Sequence, residues 1–261
     1  MKMFYNDGRG ATSSYRDSSD DWNRHWKDLE SSSGVNPAQE YRRRLVLKYL
    51  DLNPATSSRV LDIGSGLGDF LRALHAFYPE VPKLGLEYSQ RGVEIARRRV
   101  PMALFLQRDL ISGNDDPAEH RGFATHAVCS EVLEHVDDPV RLLENARPYM
   151  ADGCRLVVTV PGGPRSAFDM HIGHRRHFTP ADLHQVLTEA GFVVEQTIGA
   201  GFPFFNLYRL TVILRGNQLV KDASGRPSAL LKIVSAMFAV LFRLNIAQSS
   251  LGWQTLAVAR K

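Results

Sequence analysis

Three short stretches of this 261-residue chain gather side chains able to do chemistry. Glu131, Glu134 and His135 stand at i, i+3 and i+4, which on a helical turn brings them to one face. Two carboxylates and an imidazole there could hold a hard divalent ion that polarises an acceptor hydroxyl, or merely floor a pocket. In the segment Asp169 to Thr179, His171, His174 and His177 recur every three residues within a Gly-containing loop. An imidazole near its ordinary pKa of about 6.5 suits taking a proton from a hydroxyl or ammonium group. The alternative for that loop is a purely structural one, tied down by His and Arg hydrogen bonds. The third stretch, Val60 to Phe70, places Gly64, Gly66 and Gly68 at alternate positions between a strand and a helix. Glycines there let the backbone approach a ligand and pass it to a helix N-terminus. Further on, Glu87 closes the next strand, where a carboxylate can accept hydrogen bonds from both hydroxyls of a ribose. Asp69 stands where the dinucleotide fingerprint G-x-G-x-x-G requires glycine, which disfavours an NAD-type oxidoreductase.

These groups need a scaffold, and the hydrophobic pattern supplies one. Strand-like runs at 59–63, 83–87, 104–107, 124–130 and 156–160 alternate with helical patterns at 70–77, 92–99 and 139–149. Such alternation implies an α/β domain with a doubly wound parallel sheet covered on both faces. Thr179, Pro180 and Asp182 open a helix that stops at Gly191, and 192–198 and 254–259 read as two further strands. Asn36-Pro37 starts an earlier helix with Tyr41, Leu45 and Tyr49 on one face. Residues 1–35, polar and rich in Ser, Asp and Gly, read as a mobile or draped segment. Within it, Trp22 and Trp26 lie four apart and would share one side of a short helix docking on the body. The main domain is thus 36–202 with 248–261. An apolar helical insertion at 203–247 brings the aromatics Phe204, Phe205 and Tyr208, with Phe202 at its edge, followed by the stretch Ala229 to Leu244.

Composition narrows the function classes. With 44% hydrophobic and 23% charged residues, the chain is globular rather than disordered, collagen-like or coiled coil. The charge of +4, from 32 basic and 28 acidic residues, permits attraction to phosphates or anionic lipid without pointing to nucleic acid. Cys129 and Cys154 are too few for a disulfide framework or a four-cysteine zinc site, so a cytoplasmic setting is expected. The start has no apolar run of the secretory kind, and no stretch reaches the roughly 20 apolar residues of a spanning helix.

The quoted residues resemble the class I S-adenosylmethionine-dependent methyltransferases over roughly residues 40 to 200 and the last strand. LDIGSGLGDF (61–70) looks like their first motif, and LGLEYS (84–89) like the acidic motif after strand two. QRDL (107–110) is similar to the adenine-contacting stretch, and SEVLEHV (130–136) to the strand-four segment. The resemblance implies a Rossmann-like seven-stranded sheet, parallel except for an antiparallel last strand, and S-adenosyl-L-methionine as cofactor with S-adenosyl-L-homocysteine leaving. It places Gly64, Gly66 and Gly68 along the methionine part, Glu87 at the ribose, Asp109 at the adenine amine, and Ser130 and Glu131 at the sulfonium, with Asp62, Ser65, Tyr88 and Leu110 also expected to bind the cofactor. For Asp62 and Asp109, capping of turns is the alternative.

The Glu-x-x-Glu-His string is similar to that of ubiquinone-biosynthesis O-methyltransferases, where the matching residues are implicated in metal dependence. It equally resembles relatives without metal, so no metal is assigned and Glu131, Glu134 and His135 remain the set for a divalent ion. Gly173 to Thr179 looks like a segment bordering the acceptor in small-molecule methyltransferases. The expected bases are His135 and His174, with His177 behind them. The expected reaction is methylation of oxygen, ahead of nitrogen, on a small hydrophobic, glycan-linked or lipid-like acceptor. Nucleic acid is not expected, because no aromatic-and-basic platform and no Asn-Pro-Pro-Tyr-like tetrapeptide follows strand four. The insertion 203–247 would serve as a lid, acceptor pocket, homodimer contact or peripheral membrane contact with Lys232 and Arg243 snorkelling. A cofactor-binding scaffold or membrane-associated partner without turnover is the remaining alternative.

Overall fold

A computed structural model of the chain describes residues 22, 23, 26, 36–53, 57–113, 117–222, 229–246 and 248–261, with backbone alone at 216–222 and 229–232. The expectation of a mobile 1–35 segment therefore falls outside the described residues, apart from Trp22, Asn23 and Trp26.

Seven strands form one sheet in the order β3-β2-β1-β4-β5-β7-β6. They are β1 (Val60–Ile63), β2 (Lys83–Glu87), β3 (Leu104–Gln107), β4 (Ala124–Ser130), β5 (Met150–Pro161), β6 (Val193–Ala200) and β7 (Gln254–Arg260). All pairings are parallel except the two made by β7, which runs antiparallel between β5 and β6. β1 and β2 are buried along their whole length, as strands covered on both faces must be. The strand order reverses between β1 and β4, and ligands of open α/β sheets bind outside the carboxyl ends at such a switch point.

Among the described residues, the α-helices with defined bounds around the sheet are α1 (Pro37–Leu50), α2 (Asp69–Phe77), α3 (Gln90–Arg99), α4 (Pro139–Ala146), α5 (Ala167–His171), α6 (Pro180–Glu189), α7 (Phe204–Asp222) and α8 (Ala229–Leu241). Their starts follow local chemistry. Asn36, Ser89 and Asp138 each accept a backbone N–H at a helix start, while Ser166 and Thr179 close full capping boxes with Asp169 and Asp182. One core packs α4 and α6 beneath the sheet; the other packs α1, α2, α3, α7 and α8 above it. In the second, Phe205 stacks on Tyr41 with centroids 5.2 Å apart, so the insertion is sewn onto α1. Cys129 and Cys154 are buried free thiols. Among the described residues no helix is long and apolar enough to cross a membrane.

Several boundaries differ from the pattern reading. α4 ends at Ala146, and Arg147–Tyr149 tighten into a 3₁₀ turn, because Pro148 has no N–H to continue an α-helix. β5 starts six residues early, since Met150 already pairs with Ala124.

Candidate functional site

A cleft of about 800 Å³ opens beyond the carboxyl ends of β1, β2 and β4 and is walled by α1 and α7. On one rim, β1 ends in a turn where Gly64 and Ser65 donate to the Leu86 carbonyl at 2.8 and 2.9 Å. Gly64 has φ +71°, and a Cβ there would lie 2.4 Å from Val132 Cγ2, so only glycine fits. Gly68, in the left-handed region, begins α2.

Glu87 is the hub of this rim. Its Oε2 accepts from Gly66 N at 2.8 Å, and its Oε1 accepts from Ser89 N at 2.9 Å and Trp26 Nε1 at 3.2 Å. Burial pushes the Glu87 carboxyl up against the pull of those donors. Asp62, beneath it, is pushed up to about 8 by burial and then by the nearby Glu87 and Asp69 carboxylates. Tyr88 is exposed at the mouth. Asp109 borders the cleft, while its Oδ1 accepts from Ile111 N and Ser112 N at 3.0 and 3.1 Å, the turn-capping bonds of an Asx motif. The Leu110 carbonyl accepts from Asn145.

The other rim comes from β4, β5 and α7. Ser130 Oγ shares a hydrogen bond with Thr159 at 2.8 Å. Glu131 adopts φ +58°, a strained conformation for a residue with a side chain. Its carboxylate meets Gln254 Nε2 at 2.9 Å and Arg42 Nε at 3.4 Å. Because of that turn the 3₁₀ segment starts only at Leu133, so Glu131 does not join Glu134 and His135 on a helical face. The group that converges is Glu134, His135 and His174, whose ligating atoms lie within 4.8 Å of one another. Glu134 is fully buried, and neither of its oxygens accepts a hydrogen bond; burial, then the Glu131 carboxylate, drives its pKa well up. A carboxylate with two imidazoles matches the donor set of borderline divalent ions better than of magnesium.

Behind His174 runs a relay. His177 Nδ1 lies 3.0 Å from the Gly163 carbonyl, and His177 Nε2 lies 3.3 Å from His174 Nδ1. A carbonyl only accepts, so His177 carries its proton on Nδ1, His174 Nδ1 donates to His177, and His174 Nε2 keeps a lone pair. Asp169 Oδ1 stands 3.7 Å from His174 Nδ1. Arg209 grips Asp169 in a bidentate pair at 3.0 and 2.8 Å, and Ser166 adds its N and Oγ, both at 2.7 Å. Burial alone would raise Asp169; the Arg209 and Ser166 donors hold it below the usual carboxylate range. His174 is pushed down to about 3 by burial and then by neighbouring His135, so it is neutral at pH 7. His177 is lowered too, first by burial.

Of the three spaced histidines, His174 and His177 join this relay and His171 is exposed at the end of α5. His135 and His174 face the cleft, their rings edge to face at 4.8 Å. Sequence reasoning missed Asp169, Arg209, Arg42 and Gln254. Only the Ser166–Asp169 spacing, readable as a capping box, could have flagged one of them. The tryptophan pair does dock on the body, but inside the site: Trp22 packs edge-on against His135 at 4.8 Å, and Trp26 reaches Glu87. With Trp253 they bring all three tryptophans of the chain to the cleft.

Residues 38–197 match the family described as a methyltransferase domain. The chain is 26% identical over 198 residues to a ubiquinone biosynthesis O-methyltransferase of Thiobacillus denitrificans, covering 67% of this chain and 83% of that protein. It is 29% identical over 158 residues to a demethylspheroidene O-methyltransferase of Rhodobacter capsulatus, covering 56% of this chain but only 38% of the relative. The crystal structure of a SAM-dependent methyltransferase from Thermotoga maritima shares the fold with TM-score 0.58 and 19% identity, covering 92% of this chain and 98% of that one.

Proposed function

The chain belongs to the methyltransferase-domain family, and from that premise we propose that it transfers a methyl group from S-adenosyl-L-methionine to an oxygen of a small, largely apolar acceptor. The observation that carries the oxygen assignment is the Gly163–His177–His174 relay, which leaves a bare Nε2 on a neutral imidazole facing the cleft. The two O-methyltransferase names among the relatives support the same atom.

The residues of the glycine rim fit the cofactor. Glu87 Oε1 already accepts an N–H offered from the cleft side by Trp26, which is the demand a ribose hydroxyl would make of it. Gly64 and Gly66 expose backbone where side chains would intrude. Glu87 would hold the ribose, Gly64 to Gly68 the methionine part, and Asp109 the adenine side. When bound, the cofactor supplies a methyl group made electrophilic by its sulfonium. The chain does the rest. Glu131, held by Arg42 and Gln254, orients rather than accelerates, because a carboxylate beside a cation that is about to vanish favours the ground state. Burial makes His174 a weaker base than the ordinary imidazole expected from the sequence, so its Nε2 receives the acceptor's proton late, once bonding to the methyl group has made the hydroxyl strongly acidic; its Nδ1–H stays on His177, and Asp169 steadies the resulting imidazolium. Phe205, Tyr208 and Val212 of α7 line the acceptor side and exclude water.

The test is a panel of catechol, phenol and amine acceptors with the full-length protein, following S-adenosyl-L-homocysteine release. Methylated phenolic product, lost in His174→Ala while cofactor affinity stays, supports the reading; amine product alone overturns it. The unsatisfied Glu134 oxygens favour a second reading, in which Glu134, His135 and His174 hold a divalent ion that polarises the acceptor oxygen. Turnover indifferent to chelator removes that reading.

A further inference from the structure

The insertion has a face that the cleft and the core do not use. On α7, Leu207, Leu210 and Leu214 recur at i, i+3 and i+7 and are all exposed; on α8, Ile233, Met237 and Val240 recur at i, i+4 and i+7 and are exposed as well. Leu214 retains 78%, Ile233 66% and Val240 61% of its accessible surface. Phe205 of α7 and Phe238 of α8, with Phe242 in the turn just after α8, are instead buried in the upper core. The exposed leucines are therefore a second apolar stripe on helices that have already spent one on folding. Exposed apolar stripes of this kind mark a contact surface.

Charge says what covers it. Residues 203–247 contain six basic side chains and one acidic, Asp222, a net +5 on a chain whose total is +4. The remainder of the protein thus sums to −1, and the insertion carries all of the positive excess. With Arg209 already neutralised by Asp169, a two-fold interface through this face would still bring together two segments of net +4, five basic residues less Asp222, and be opposed by their repulsion. A nucleic-acid backbone would take the charge but offer nothing to the leucines. An anionic bilayer takes both, since apolar side chains enter the acyl boundary while basic ones meet the headgroups.

We propose that the α7–α8 face docks in the plane of an anionic lipid bilayer. The same α7 presents Tyr208, Arg209 and Val212 to the cleft, so docking sets the cleft mouth beside the membrane. The surface stands independently of which acceptor is methylated.

The experiment is co-sedimentation of the full-length protein with vesicles of phosphatidylcholine containing about 30 mol% phosphatidylglycerol, against pure phosphatidylcholine. Binding to the anionic vesicles, at least tenfold stronger than to neutral ones, weakened by high salt, and at least tenfold weaker in the Leu214→Glu/Val240→Glu variant supports the proposal. That variant must keep the wild-type melting temperature and S-adenosyl-L-homocysteine affinity; if it does not, Leu214→Ser with Val240→Ser serves instead, with the same loss expected. Absence of anionic-vesicle binding, binding undiminished in a folded variant, or a dimer in sedimentation velocity that the variant dissociates would each overturn it.

Discussion

The two rims of the cleft are built on different principles. Around Glu87 the partners are mainly backbone: Gly66 N and Ser89 N bind the carboxylate, and the turn is pinned to the Leu86 carbonyl. Around His174 the partners are side chains drawn from far apart, with Arg209 on α7 holding Asp169, and His177 and Glu134 arriving from two different loops. Backbone donors cannot rotate away, so the first rim is a rigid template for one ligand. Side-chain networks set protonation and are retuned by single substitutions. One rim suits an invariant cofactor, the other a chosen acceptor.

The largest expected effect falls on the backbone-built rim. Glu87→Ala should weaken S-adenosyl-L-homocysteine binding by about 100-fold, the loss of two charge-assisted hydrogen bonds, in calorimetry. An effect within a few-fold would mean that the rim does not work as a template. His174→Ala should lower kcat by about 100-fold and leave cofactor affinity within about two-fold, which separates the rims functionally. Equal losses of both would merge them. Arg209→Met should lower kcat by about tenfold and move the acid limb of the kcat/KM profile upward. The sign follows because the Arg209 cation depresses His174 and Asp169 opposes it, so losing Arg209 raises the imidazole pKa; His135, His177 and Glu134 face the same ring. A profile unchanged in pH would remove Asp169 and Arg209 from the relay.

At neutral pH the stability is unaffected, and the last effect emerges only on acidification. The folded protein keeps His174 neutral down to about pH 3, whereas the unfolded chain protonates it near 6.5. Wild-type protein therefore loses stability relative to His174→Gln as pH falls from about 6.5 towards 3. Melting curves across that range check it, and a constant difference would contradict a buried neutral imidazole.

The same contrast explains what the sequence disclosed. The glycine turn and Glu87 were legible because their signal is local: an apolar strand, a G-x-G-x-G turn and an acid closing the next strand. The doubly wound α/β architecture was legible for the same reason, through regular alternation of strand and helix patterns, whereas the antiparallel last strand came only with the family resemblance. Glu131 misled, because helical spacing assumes helical backbone and its φ of +58° breaks the turn before Glu134. Asp169 and Arg209 are forty residues apart and meet only because α7 folds back over α5, so no local spacing could announce the pair. Trp26 was read as a docking residue; that it docks on Glu87 depends on tertiary placement alone.

The glycine turn and Glu87 are proposed to grip the adenosyl group. A crystal structure of the full-length protein with S-adenosyl-L-homocysteine tests it most directly. Both ribose hydroxyls are expected on the Glu87 carboxylate, with the Trp26 indole displaced from Oε1. A nucleoside bound elsewhere, with the Trp26–Glu87 hydrogen bond intact, would contradict it.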